Sequence, residues 1–174
     1  MYGNTVFVLS AMFAVIVYVQ HELGGSSWWL TRETSFCIQC VVLELAATLV
    51  ASTRPELALG SQTVQGVLLS AFAFGTTIFG QDYKDVEGDK LIGRRTVAIV
   101  FPQNVTRPLL MVLLIGWSAV LATYWELGQF ATIAYVTLAT AVGLRYVLIR
   151  GCRADQVSYY LYNVRPQFIC IQRC

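Results

Sequence analysis

Five apolar stretches, each close to the length of a bilayer crossing, limit what this chain of 174 residues can fold into. They cover about 4–20, 35–52, 62–79, 109–124 and 130–149. A transmembrane helix needs about 20 mostly apolar residues. Composition agrees, with 56% of residues hydrophobic and 13% charged, whereas a soluble domain carries roughly 25% charged residues. In hydrocarbon the backbone has to satisfy its own hydrogen bonds, which leaves helices or closed barrels. Barrel strands alternate in polarity over about ten residues, and no such alternation occurs. The expectation is an all-α membrane protein, a multi-helix transmembrane bundle. The first stretch follows Met1 closely, but it has no basic n-region and no clear small-x-small cleavage site follows. It reads as a retained span rather than a signal peptide.

Charge placement gives an orientation. With five spans, the segments 21–34 and 80–107 and the tail beyond 150 share one side. Ten of the twelve Lys and Arg residues, from Arg32 to Arg173, lie there, and Arg145 is near it. The opposite side has only Arg54. The positive-inside rule makes the crowded side cytoplasmic. The sequon Asn104-Val105-Thr106 falls on that side and reads as a chance match. A net charge of +2 says little by itself, and no nucleic-acid partner is expected.

The five cysteines, Cys37, Cys40, Cys152, Cys170 and Cys174, are odd in number and irregularly spaced. That argues against a disulfide framework. Cys37 and Cys40 have CxxC spacing inside an apolar run. With His21 as the lone histidine and no second Cys pair, they read as buried apolar thiols rather than a zinc site. Ile171, not Cys, is fourth from the end, so the terminus is no prenylation box.

One segment breaks the apolar pattern. Four of the ten acidic residues, Asp82, Asp85, Glu87 and Asp89, fall within eight positions at the end of the third span. On a helix of 3.6 residues per turn, Asp82, Asp85 and Asp89 share one face. Three carboxylates on one face repel each other unless a cation sits among them. Mg²⁺ fits that need, since it takes hard oxygen ligands and is held by one or two carboxylates plus substrate phosphates. Lys90 and Arg94 follow closely and suit the phosphates. Together they point to a magnesium–diphosphate site. The competing reading is a solvated mixed-charge loop.

The segment resembles the second aspartate-rich motif, D-x-x-D-x-x-x-D, of the UbiA superfamily of intramembrane prenyltransferases. Asp82, Asp85 and Asp89 match it residue by residue. The continuation Gly93-Arg94-Arg95-Thr96 and the pair Phe101-Pro102 are also similar, and Asp85-Val86-Glu87-Gly88-Asp89 is closest to the fungal terpenoid and meroterpenoid branch. Trp28-Trp29-Leu30-Thr31-Arg32 before the motif, and Ala154-Asp155 and Tyr160-Leu161-Tyr162-Asn163 after it, extend the likeness over most of the chain. The resemblance implies a nine-helix bundle around a cavity open to lipid, in which two Asp motifs hold Mg²⁺ and an isoprenyl diphosphate. Metal (Mg²⁺) binding then falls to Asp82, Asp85 and Asp89, and diphosphate binding to Lys90 and Arg94. The implied chemistry is ionisation to an allylic cation and transfer of the prenyl group to a hydrophobic or aromatic acceptor, or cyclisation in some fungal members. An endomembrane location, with the motif facing the cytoplasm, is the corresponding expectation.

The sequence departs from that family in two places. The first motif, N-x-x-x-D-x-x-x-D, has no counterpart, because no Asp precedes Asp82. Asn4, His21, Glu22, Glu33, Glu44 and Glu56 do not form it. After Asn163 the chain runs into Arg165-Pro166-Gln167 where a ninth hydrophobic helix is usual. The spans are thus expected to match family helices four to eight, as one partial domain over residues 1–174 taken from the C-terminal part of the fold. A truncated or mis-spliced gene model is the corresponding hypothesis, and an inactive membrane fragment is the alternative function. A small transporter is a third reading, but it leaves the Asp register without a purpose.

Four other features are singled out. Glu44 lies within a span, where a carboxylate either faces a cavity or bonds a neighbouring helix. His21-Glu22 at a helix end is a general base or an interfacial anchor. Trp28 and Trp29 read as interface-belt aromatics. Tyr83 either packs, is exposed to solvent, or offers its ring to a cation.

Overall fold

The computed structural model describes residues 3–52 and 60–171, with side chains as far as Asn163. Arg54, Glu56, Arg173 and Cys174 lie outside the described residues, as do the side chains of Arg165 and Cys170. No β-strand occurs among the described residues. The order is α1 (Gly3–His21), α2 (Trp29–Ala51) and α3 (Ser61–Thr77), then a 3-10 segment (Ile78–Lys84). It continues with the short α4 (Val86–Leu91) and α5 (Val97–Val100), then α6 (Gln103–Tyr124), α7 (Gln129–Leu148) and α8 (Cys152–Ile171). Among the described residues, five helices, α3 taken with its 3-10 extension, are long and apolar enough to cross a membrane. Each corresponds to one expected stretch.

The ends differ from the expectation for local reasons. Helix α2 starts at Trp29 rather than 35. The Thr31 hydroxyl bonds the Trp28 carbonyl at 3.0 Å and the Thr34 hydroxyl bonds the Leu30 carbonyl at 2.7 Å, so a polar turn with Arg32 and Glu33 extends the helix. Helix α6 starts at Gln103 rather than 109, which puts Pro108 inside the helix. Proline there removes one backbone bond. The amides of Val105 and Thr106 anchor the turn below it on the Pro102 carbonyl, at 3.0 and 3.1 Å. The largest difference is α8, which occupies what was read as a tail after 150.

The chain divides into two compact units, Met1–Thr76 and Thr77–Cys174. In the first, α1 lies along α2. Gln20 is buried, and its side-chain oxygen accepts a bond from the Gln39 amide. The α2–α3 approach is close at Gly75, where a Cβ would come within 2.9 Å of the Cys37 Cβ. Cys37 donates its thiol to the Ala71 carbonyl at 3.5 Å, so the first cysteine of the CxxC is a packed thiol. The Ser70 hydroxyl donates to Glu44 Oε1 at 2.9 Å. Of the two readings of Glu44, the bond to a neighbouring helix is the one present. His21 and Glu22 are exposed at the end of α1.

The second unit is built on the α6–α7 hairpin. Leu110, Leu114 and Ser118 recur every four residues along α6 and are fully buried, as are Ala139, Val142 and Tyr146 on α7. In lipid, helices associate mainly by van der Waals packing, which small residues make possible by letting backbones come close. Gly143 is that point here. A Cβ added to it would stand 2.7 Å from Met111 Cγ and 3.0 Å from Met111 Cα.

Candidate functional site

The Asp segment lies wholly in the second unit. It begins where α3 tightens into the 3-10 segment. Gly80 runs close to α6 and α7, and a Cβ on it would meet Leu110 Cδ2 at 3.0 Å and the Tyr146 hydroxyl at 3.5 Å. At Asp85 the backbone leaves helical geometry, with φ −111° and ψ 9°, and its amide closes on the Asp82 carbonyl at 3.1 Å. Helix α4 starts anew at Val86. The expectation of three aspartates along one α-helical face is therefore corrected. A 3-10 turn has about 3.0 residues rather than 3.6, and the break at Asp85 interrupts the register.

Each expected site residue has a definite place. Asp82 and Asp89 are buried, 1% and 4% exposed. The Asp85 side chain is 56% exposed and pairs with Lys84, Nζ to Oδ2 at 2.6 Å. Arg94 pairs with Asp89, Nη1 to Oδ1 at 3.3 Å. Gly93 brings that pair about. It ends α4 with φ +72°, a left-handed conformation that glycine adopts without the Cβ penalty. Its amide bonds the Lys90 carbonyl at 3.2 Å, and the Arg94 amide turns back to the Asp89 carbonyl at 2.9 Å. Lys90 is exposed. Among the described residues, no three His, Cys, Asp or Glu side chains gather closely enough to cage a metal.

Behind the motif is a feature the sequence reading passed over. Arg107, near the start of α6, and Asp155, in the first turn of α8, form a two-point ion pair. Nη1 meets Oδ1 and Nη2 meets Oδ2, both at 2.8 Å, with both side chains 2% exposed. Arg107 also donates to the Tyr146 carbonyl at 2.8 Å and to Gln103 Oε1 at 3.2 Å. Its guanidinium lies 4.2 Å from the centre of the Tyr83 ring. Tyr83 is 3% exposed, so it is a packed tyrosine whose ring faces a cation supplied by the protein itself. The available signal was the rule that a lone charge beside an apolar span calls for a partner.

Three further contacts join α8 to the segment around the motif. The Cys152 thiol donates to the Lys84 carbonyl at 3.2 Å. Lys84 Nζ stands 5.1 Å from the centre of the Tyr159 ring. The hydroxyls of Thr77 and Tyr162 share a hydrogen bond of 2.9 Å.

Comparison with known proteins shows what the chain is similar to. The chain is 30% identical to the somaliensene A/B synthase of Streptomyces somaliensis, over 92% of this chain and 55% of that protein. It is 29% identical to the fumagillin beta-trans-bergamotene synthase of Aspergillus fumigatus, over 56% of this chain and 34% of that protein. It is 33% identical to a diterpene cyclase of Hericium erinaceus, over 48% of this chain and 27% of that protein. The chain thus covers between 27% and 55% of the length of these curated relatives. No solved structure matches it. The model of the UbiA prenyltransferase family matches residues 1–164. Its five long apolar helices make it an integral multi-pass membrane protein. With the family matched over nearly its whole length, the chain belongs to the UbiA prenyltransferase family.

Proposed function

We propose that this chain supplies the second aspartate motif of a membrane enzyme that ionises an isoprenyl diphosphate with the help of Mg²⁺. Family membership supports the substrate class, and the Asp82–Arg94 segment carries the reading. Carboxylate oxygens are the hard donors that Mg²⁺ takes, and the ion is usually held by one or two carboxylates with substrate phosphates rather than by an all-protein cage. The donor chemistry of the segment therefore fits it. One or two of Asp82, Asp85 and Asp89 at a time would hold the ion together with the substrate phosphates, and its charge would favour departure of the diphosphate. Lys90 and Arg94 contact the diphosphate in this proposal. Lys84 joins them, since it already stands on Asp85 and can exchange that carboxylate for a phosphate oxygen.

The fate of the allylic cation separates two readings. Transfer of the prenyl group to an aromatic or other acceptor is what the family name describes. Cyclisation is favoured by a specific observation, because all three relatives are named as terpene synthases or cyclases. The location proposed is an endomembrane with the motif on the cytoplasmic side, supported by the basic residues near it. The domain proposed is one partial UbiA-like bundle that forms the C-terminal part of a nine-helix fold.

The test uses the chain in lipid nanodiscs with labelled farnesyl or geranylgeranyl diphosphate. Binding is expected to require Mg²⁺ and to weaken at least about tenfold in Asp85→Ala, the effect of one lost charge-assisted contact. Unchanged binding in that variant would show the assigned site to be wrong. Where turnover accompanies binding, a hydrocarbon in the organic extract indicates cyclisation, and an adduct with added acceptor indicates transfer. Binding without turnover supports the inactive-fragment reading.

A further inference from the structure

We propose that Arg107 and Asp155 are positioning residues for the aspartate motif and act on it through the ring of Tyr83. The inference rests on the reading of Asp82, Asp85 and Asp89 as the magnesium–diphosphate site. Tyr83 lies between Asp82 and Asp85, so whatever holds its ring holds the backbone that carries both carboxylates. One face of that ring is covered by the Arg107 guanidinium at 4.2 Å. The guanidinium cannot drift, because it donates to both Asp155 oxygens, to the Tyr146 carbonyl and to Gln103.

Asp155 is fixed in turn. It sits in the first turn of α8, where Oδ2 accepts the Gly151 amide at 3.4 Å and its own amide donates to the Gly151 carbonyl at 2.8 Å. The chain of contact runs from the start of α8, through the ion pair, to the ring between two motif aspartates. A second line runs alongside it, from Cys152 and Tyr159 of α8 to Lys84, the residue paired with Asp85.

An ion pair is not needed merely to hold two helices together. Apolar side chains of similar volume usually do so as well or better, because charges are costly to take out of water. What a planar guanidinium adds is a fixed fork for a carboxylate and a flat cationic face for an aromatic ring. Both are in use here, which points to a geometric role for the pair.

The test titrates Mg²⁺ with inorganic pyrophosphate into the full chain in nanodiscs by calorimetry, and follows thermal unfolding in parallel. The double variant Arg107→Met/Asp155→Leu removes both charges together and keeps apolar volume. It is expected to unfold within a few degrees of the parent while binding about ten- to thirtyfold more weakly, the scale of a desolvated cation–ring contact. Tyr83→Leu, with the pair intact, is expected to show the same loss. Tyr83→Phe keeps the ring and should bind as the parent does. Combining Tyr83→Leu with the double variant should add nothing, as for residues acting along one path.

A double variant that folds and binds like the parent overturns the proposal. Should it fail to fold, Tyr83→Leu decides, and parent-like binding there overturns the proposal equally. If the parent itself binds no magnesium pyrophosphate, the metal-site reading falls. The positioning claim is then read from amide hydrogen exchange at 82–89. Faster exchange in Tyr83→Leu supports it, and unchanged exchange overturns it.

Discussion

Arg107 and Asp155 form an ion pair in which both side chains are only 2% exposed. Removing one charge strands the other in a medium that solvates it poorly. Asp155→Ala is therefore expected to lower stability by about 3–5 kcal/mol, measured by denaturant unfolding in detergent. Glu44 presents a milder case. Its bond from Ser70 is one hydrogen bond between helices, and such bonds in membranes average about 0.6 kcal/mol and reach about 1.7. Ser70→Ala should fall in that range, while Glu44→Gln, which keeps the accepting oxygen, should leave stability unchanged. These two sites also mark what was legible residue by residue. Glu44 stood out because it interrupts an apolar run. The Asp motif stood out because its three members are close in sequence. Arg107 and Asp155 are 48 residues apart, and no local spacing links them, so only the folded chain reveals the pair.

Among the elements, the five spans were readable because hydropathy reports burial in lipid directly. The winding within the motif was not, because Gly80 packs against α6 and α7, which come later in the chain. Helix α8 was missed for a related reason: its sequence mixes polar and aromatic residues and gives no apolar run, yet it is anchored by Asp155 in its first turn and by Tyr162 further on. The Gly93 turn shows local chemistry prevailing. Its surroundings are open, with no atom within 4 Å of an added Cβ, so a substitution meets only backbone strain. Gly93→Ala should cost about 1–2 kcal/mol, the penalty of the left-handed conformation. It should also loosen Arg94 from Asp89, which appears as faster hydrogen exchange at the Arg94 amide together with a lower unfolding midpoint.

For the molecule as a whole, the number of crossings and the side on which charge collects set the topology. The proposed orientation places Cys152, which is exposed, on the cytoplasmic side and the α6–α7 turn at Gly128 on the other. A variant with Cys152 as its sole cysteine should react with a membrane-impermeant maleimide from the cytoplasmic side. A variant with its sole cysteine at Gly128 should react only from the opposite side, and the reverse pattern would invert the orientation. The distance between Arg107 and Asp155 along the chain has a further consequence, for synthesis. The ribosome adds about 5–20 residues per second, so Asp155 is made on the order of 2–10 s after Arg107. Throughout that interval the guanidinium lacks the Asp155 carboxylate it pairs with in the folded chain. The α6–α7 hairpin has to settle in the bilayer on its own apolar packing, with Gly143 close against Met111. The arrival of α8 then closes the ion pair, which makes fixing the aspartate motif one of the last events in the birth of this part of the protein.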